Sequence, residues 1–250
     1  MKYFALLVLL FPTIALASGE ELVQQFFGQD GIKNKTAVYT GEMLDSHFDK
    51  PTFGQSLPAD VNVKQHLLQQ AGDQAVHTVT LSRGNQSQDW YVFLAKERNV
   101  WKISALRNFV IPKPFFIETH RLSEKTPRTA DEEFTYQNHT LTLKSDTALH
   151  AYAKANIQTF NVIAAQATKN IATANATAND LFLPHVQYDP HTQITNITLA
   201  TIKRSGNIAG NTMGYIHVTQ KEHLPTMSED GYIYIANITG DWFMYKKKDH

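Results

Sequence analysis

The sequence predicts an α+β fold made of two related units, and three observations carry that expectation. Hydrophobic residues recur at helical spacing early in each half of the chain, and later alternate with polar ones as strands do. A strand-rich segment recurs 141 residues downstream of itself. Between the two occurrences, Ile111-Pro112-Lys113-Pro114 and the charged stretch Ser123–Glu133 offer few apolar anchors, which places a linker at residues 112–130. The expected organisation is therefore a leader over 1–17, a first unit over 18–111, that linker, and a second unit over 131–250.

The leader reads as a secretory signal. Met1-Lys2 is a short positive start, Tyr3 to Leu16 is a nearly unbroken apolar run, and Ala15-Leu16-Ala17 ends in small residues where a signal peptidase cuts. The run is shorter than the ~20 residues of a membrane span, and no other segment is long and apolar enough to be one. A mature chain starting at Ser18 is expected to be periplasmic or secreted, and not membrane-embedded.

Ser18 and Glu21 have capping-box spacing and open a helix whose Leu22 and Phe26 share a face. Residues 36–48 and 63–70 read as weaker helices. Val76–Ser82 reads as a strand, followed by a turn at Arg83-Gly84-Asn85 and a hairpin in which Asp89–Lys96 and Val100–Phe109 flank Glu97-Arg98-Asn99. In the second unit the strongest helix runs over 146–168, with Leu149, Ala153, Ile157, Phe160 and Ala164 in one stripe and Ser145 as its cap. The Ala/Thr/Asn stretch Ile171–Asn179 reads as a frayed helix end or loop. Strands follow at Ile194–Lys203, turning at Ser205-Gly206-Asn207, then at Met213–Thr219. A last hairpin sets Asp230–Ile238 against Trp242–Lys247 across Thr239-Gly240-Asp241, where glycine suits a positive φ.

The two hairpins match in register: Asp89/Asp230, Tyr91/Tyr232, Ala95/Ala236 and Trp101/Trp242 are identical, and Val92/Ile233, Phe93/Tyr234 and Leu94/Ile235 are conservative exchanges. Trp101 and Trp242 are thus expected at equivalent core positions. Helices followed by an antiparallel sheet whose last hairpin carries Trp101-Lys102-Ile103, or Trp242, resemble the NTF2-like superfamily. The cystatin-like arrangement of one helix on an antiparallel sheet is the nearest competitor. The first resemblance implies cones whose mouths hold a small ligand, some members being isomerases or dehydratases that use an Asp or His inside the cone. The second implies a proteinaceous inhibitor.

Composition narrows the function. The 23 basic and 23 acidic residues balance, so there is no electrostatic footprint for nucleic acid, and Lys246-Lys247-Lys248 reads as a solvated tail. The absence of cysteine removes disulfides, thiolate metal sites, thiol nucleophiles and a lipid-anchor attachment point. Six N-x-[ST] sequons, at Asn34, Asn85, Asn138, Asn175, Asn196 and Asn237, read as products of an Asn- and Thr-rich composition rather than as glycan acceptors. P-loop, G-x-G-x-x-G, G-x-S-x-G and H-E-x-x-H signatures are absent. The residues weighed for chemistry are His77, Asp89, Tyr91, His217, Asp230 and Tyr232. Asp89 and Asp230 start strands after polar loops and are expected to accept loop amides, a structural role, while the two tyrosines are expected to pack half-buried. His185, Asp189 and His191 are the metal candidates, at a spacing that fits no zinc pattern. The sequence thus predicts no catalytic, cofactor-binding or metal-ligating residue and no cofactor. It predicts a non-catalytic binding protein for a small molecule or another protein; the alternatives are an isomerase- or hydrolase-type enzyme and an inhibitor.

Overall fold

A computed structural model describes residues 18–84, 86–202 and 210–248. The expected signal segment, the Asn85 sequon and the Ser205-Gly206-Asn207 turn lie outside the described residues. The fold is α+β with two antiparallel sheets. Chain order is α1 (Gly19–Phe27), α2 (Lys35–Val38), α3 (Gly41–His47), β1 (Asn62–Ala71), β2 (Gln74–Arg83), β3 (Gln86–Glu97), β4 (Val100–Asn108), α4 (Lys113–Glu124), α5 (Ala130–Thr142), α6 (Asp146–Ala155), α7 (Ile157–Ala167), α8 (Ile171–Asn179), β5 (His185–Asp189), β6 (Ile194–Ile202), β7 (Asn211–His217), β8 (Tyr232–Thr239) and β9 (Trp242–Lys248). No helix among the described residues is long and apolar enough to cross a membrane.

Several local expectations hold for the reasons given. The capping box closes α1, Glu21 N bonding Ser18 Oγ at 3.1 Å and Ser18 N bonding the Glu21 carboxylate at 2.8 Å. Ser145 caps α6. Arg98 and Asn99 take positive φ in the β3–β4 turn, as Gly240 does before β9. Other expectations need correction. Residues 63–70 belong to a strand, β1, because β2 offers a ladder to all of them but Leu68, at a bulge, and pairing overrides a weak helical period. The helix expected over 36–48 is broken, since Tyr39 bridges Ile103 of β4 and Gly41 takes φ 51°. The helix expected over 146–168 divides at Asn156, whose Nδ2 bonds the Tyr152 carbonyl and draws that residue out of helical geometry. The linker expected over 112–130 contains α4, because Pro112 precedes the helix and Pro114 sits in its first turn, where proline costs no hydrogen bond. Ile171–Asn179 is an ordered helix: Asn170 caps it, and Ala174 and Ala178 are fully buried.

The first sheet has the order β1-β2-β3-β4 and the second β5-β6-β7-β9-β8. The matching hairpins therefore enter their sheets differently. In the first, the leading strand β3 is interior and pairs with β2; in the second, the leading strand β8 is the edge and β9 pairs with β7. Trp101 lies half-buried on edge strand β4, whereas Trp242 is 2% exposed within the core, so the expected equivalence of the two indoles does not hold.

Strands β2 and β3 are buried through their middle stretches, at residues 75–79 and 91–94, because both faces of the first sheet are covered there. One face meets α1 through Val79, Val92, Leu94 and Ile103, with Leu22, Val23 and Phe26 opposite. The other contributes Val76, Tyr91, Phe93 and Phe109 to an apolar cluster that includes Leu149, Phe160, Tyr215, Tyr234 and Trp242 of the C-terminal half.

Candidate functional site

Where the first sheet meets the C-terminal half, six polar side chains gather in the interior. β3 supplies Asp89 and Tyr91, α6 supplies Asp146 and His150, β8 supplies Tyr234 and β9 supplies Lys246. Lys246 Nζ lies 2.6 Å from Asp146 Oδ1, with both side chains under a tenth exposed. The Tyr91 hydroxyl donates to Asp146 Oδ2 at 2.7 Å, and the Tyr234 hydroxyl meets His150 Nε2 at 3.0 Å. The Asp146 N–H donates to Asp89 Oδ2 at 2.9 Å, and the Thr80 hydroxyl donates to Asp89 Oδ1 at 2.6 Å from the directly opposite position on β2. The Lys246 ammonium also lies 5.6–5.9 Å from the ring centres of Tyr91, Phe109 and Tyr234. Burial pushes the Asp89 carboxyl above its ordinary range, and the Asp146 charge adds to that. Burial likewise raises the phenols of Tyr91 and Tyr234 and lowers the His150 imidazole. Chemically, this arrangement joins the two halves of the protein. None of these six residues lines the surface trough between the second sheet and helices α4 and α5.

This placement revises several sequence expectations. Asp89 accepts a backbone N–H, but from the first turn of α6 rather than from its own loop. Asp230 is exposed, with carboxylate contacts of 3.5 Å to both Arg107 and Lys248, so the two aspartates are not equivalent. Tyr91 is fully buried rather than half-buried, and Tyr232 packs edge-on against Tyr245. Lys246 belongs to the interior and not to a solvated tail. His77 lies buried in β2 near the start of α1, its Nδ1 without a hydrogen bond among the described residues, and burial lowers its pKa. His217 packs on the Trp242 indole at 4.9 Å, and burial lowers it too. Asp189 accepts from His191 N and the Thr192 hydroxyl, which fixes the β5–β6 turn. No cluster of three or more His, Asp or Glu able to hold a metal occurs among the described residues.

A trough of about 630 Å³ lies between the second sheet and helices α4 and α5. The sheet side presents Gln187 and His185 of β5, Asn196 and Thr198 of β6, and Tyr245 and Lys247 of β9. Alternation puts these residues on one face, opposite the side chains that pack on α7. The Tyr245 hydroxyl donates to Asn196 Oδ1 at 2.9 Å, and the Lys247 ammonium sits 5.8 Å from the Tyr232 ring. On the helix side His139 stacks on Phe115 at 3.8 Å, and its Nδ1 is 3.1 Å from the Thr119 hydroxyl. Burial lowers the His139 pKa, which favours the neutral imidazole. Apart from the Lys247 ammonium, the trough is thus a surface of amides, hydroxyls and imidazoles beside an aromatic wall. No family model matches the chain, and neither does any curated protein or solved structure.

The sequence reading missed Lys246, Asp146, His150, His139 and Phe115. Lys246 was legible in principle, because it falls in phase with Trp242 and Met244 on one face of β9. The others depend on how α4, α5 and α6 lie against the sheets, which no local pattern encodes.

The sequons find structural uses. Asn138 Nδ2 donates to the carbonyls of Phe182 and Leu199, Asn175 Nδ2 to Ile171 O, and Asn237 Nδ2 to Gly240 O. The side-chain amides of these three asparagines are thus engaged within the fold.

Proposed function

We propose that this chain is an exported binding protein of two NTF2-like units, 18–111 and 131–250, and that it holds a small, polar, uncharged molecule without transforming it. The lining of the trough carries this reading. A cavity of about 630 Å³ falls within the size range of small-molecule sites, and a few placed hydrogen-bonding groups beside an aromatic wall are what such sites use for orientation. Binding without catalysis is favoured because the strongest acid–base constellation, Asp89, Asp146 and Lys246, is paired inside the protein and lines no part of the trough. Export is favoured by the positive start, apolar run and A-x-A ending of residues 1–17.

The test is native mass spectrometry of the protein recovered from the periplasm or medium. The expected result is a mature chain starting at Ser18 with a co-purifying small molecule that is lost in His185→Ala/Gln187→Ala, two edge-strand changes that leave the thermal midpoint within about 2 °C. Retention of the molecule by that variant, or its release as an altered product, would count against the reading.

A further inference from the structure

Strand β1 is ten residues long, with six exposed residues among its first eight and none buried. Among the described residues it pairs with β2 alone. Two of the other sheet edges each meet one bridging residue, and the third is short. Tyr39 bridges Ile103 of β4, and Thr40 N bonds the Ile103 carbonyl at 3.0 Å. Met227 bridges Tyr232 of β8, and β5 is only five residues long. An open edge presents a row of unpaired N–H and C=O groups, which natural proteins blunt with prolines, charged side chains, bulges or a covering element. Between Val63 and Leu67, β1 has no proline and one lysine, and its bulge comes after Leu67.

We infer that β1 is a self-association edge, and that its occupant is β1 of a second copy of this chain in antiparallel register about a two-fold axis at Gln65. That register sets Val63 against the second copy's Leu67, and Leu67 against its Val63. The two are 37% and 49% exposed, and both lie on the face covered by α1, where Gln65 Nε2 donates to the Glu20 carbonyl. The two-fold thus pairs apolar with apolar twice and amide with amide at its centre, with Lys64 opposite His66 on the other face. Directly opposed side chains have Cβ atoms about 5 Å apart and support one another. The bulge lies outside the paired run 63–67, so the ladder is continuous there and the four-stranded sheets join into one of eight. The contact is isologous, so each copy's β1 edge is used up in the pair and the assembly closes at two copies. Its small area makes a concentration-dependent dimer rather than a permanent one.

Light scattering after size exclusion, over a range of micromolar concentrations, should give a mass that rises from monomer to dimer and no further. Val63→Lys/Leu67→Lys, both at exposed positions, should remain monomeric at every concentration with an unchanged circular dichroism spectrum. The cysteine-free background permits a second readout: Gln65→Cys should oxidise to a covalent dimer at least about tenfold faster than Lys169→Cys on a distant loop. A monomer at all concentrations, equal oxidation of the two variants, a dimer that persists with both lysines, or open polymers would each overturn the inference.

Discussion

Lys246 brings an ammonium into the interior against one carboxylate and three aromatic rings, an arrangement whose loss is costlier than its formation is favourable. Removing one member of a buried pair leaves the other charge without compensation. Lys246→Ala is therefore expected to lower stability by about 3–5 kcal/mol, and Lys246→Met/Asp146→Asn by clearly less than the sum of the single changes, as read from urea unfolding. Asp89 carries a separate prediction. Burial raises its folded pKa, so the folded protein holds that proton more tightly than the unfolded chain does. The associated stability is complete below the ordinary carboxylate pKa of about 4 and is lost as the pH rises through the raised value. Asp89→Asn can still accept the Asp146 amide, and it removes this loss. Its unfolding free energy relative to the parent should improve as pH rises above 4; a difference that stays flat would show that Asp89 does not titrate between the two states.

At the level of elements, the two hairpins show how one sequence pattern serves two environments. Tryptophan follows the turn in both. β9 lies between β7 and β8, so Trp242 meets Phe160 edge-on at 5.1 Å and its Nε1 donates to Asn161 Oδ1 at 2.9 Å. β4 is the last strand of its sheet, and Trp101 shares its surroundings with water and the Lys96 ammonium. Trp242→Ala should cost about 3–5 kcal/mol and Trp101→Ala markedly less. Equal losses in equilibrium unfolding would restore the equivalence that the matching sequences suggest.

Across the whole molecule, the first sheet is held from both sides and cannot part from the C-terminal half without exposing apolar surface. Tyr91 and Tyr234 lie 5.1 Å apart, Arg107 Nε donates to the Glu229 carbonyl at 2.8 Å, and Asn211 Nδ2 reaches the Val110 carbonyl at 3.3 Å. Unfolding in urea should be a single transition, with tryptophan fluorescence, which reports mainly on Trp90 and Trp101 in the first sheet and Trp242 in the second, coincident with far-ultraviolet circular dichroism. Two separated transitions would mean that the halves are energetically independent and that the shared cluster contributes little.

The sequence by itself determined the α+β class, the capping of α1 and α6, the turns before β4 and β9, and most strands from Val76 onward. Those features are set by interactions within a few residues: a cap oxygen with the next turn, a positive φ in a tight turn, or the alternation of a half-buried strand. The tertiary structure decided β1, α4, the break at Asn156, the opposite placement of the two hairpins and both polar clusters. A strand with no buried residue forms only because β2 is there to pair with it. Pro112 and Pro114 end one element and begin another equally well, and the contacts beyond them select the outcome. Lys246, Asp146 and Asp89 are far apart in the chain, so their meeting follows from the packing of α6 between two sheets and not from any spacing along the sequence.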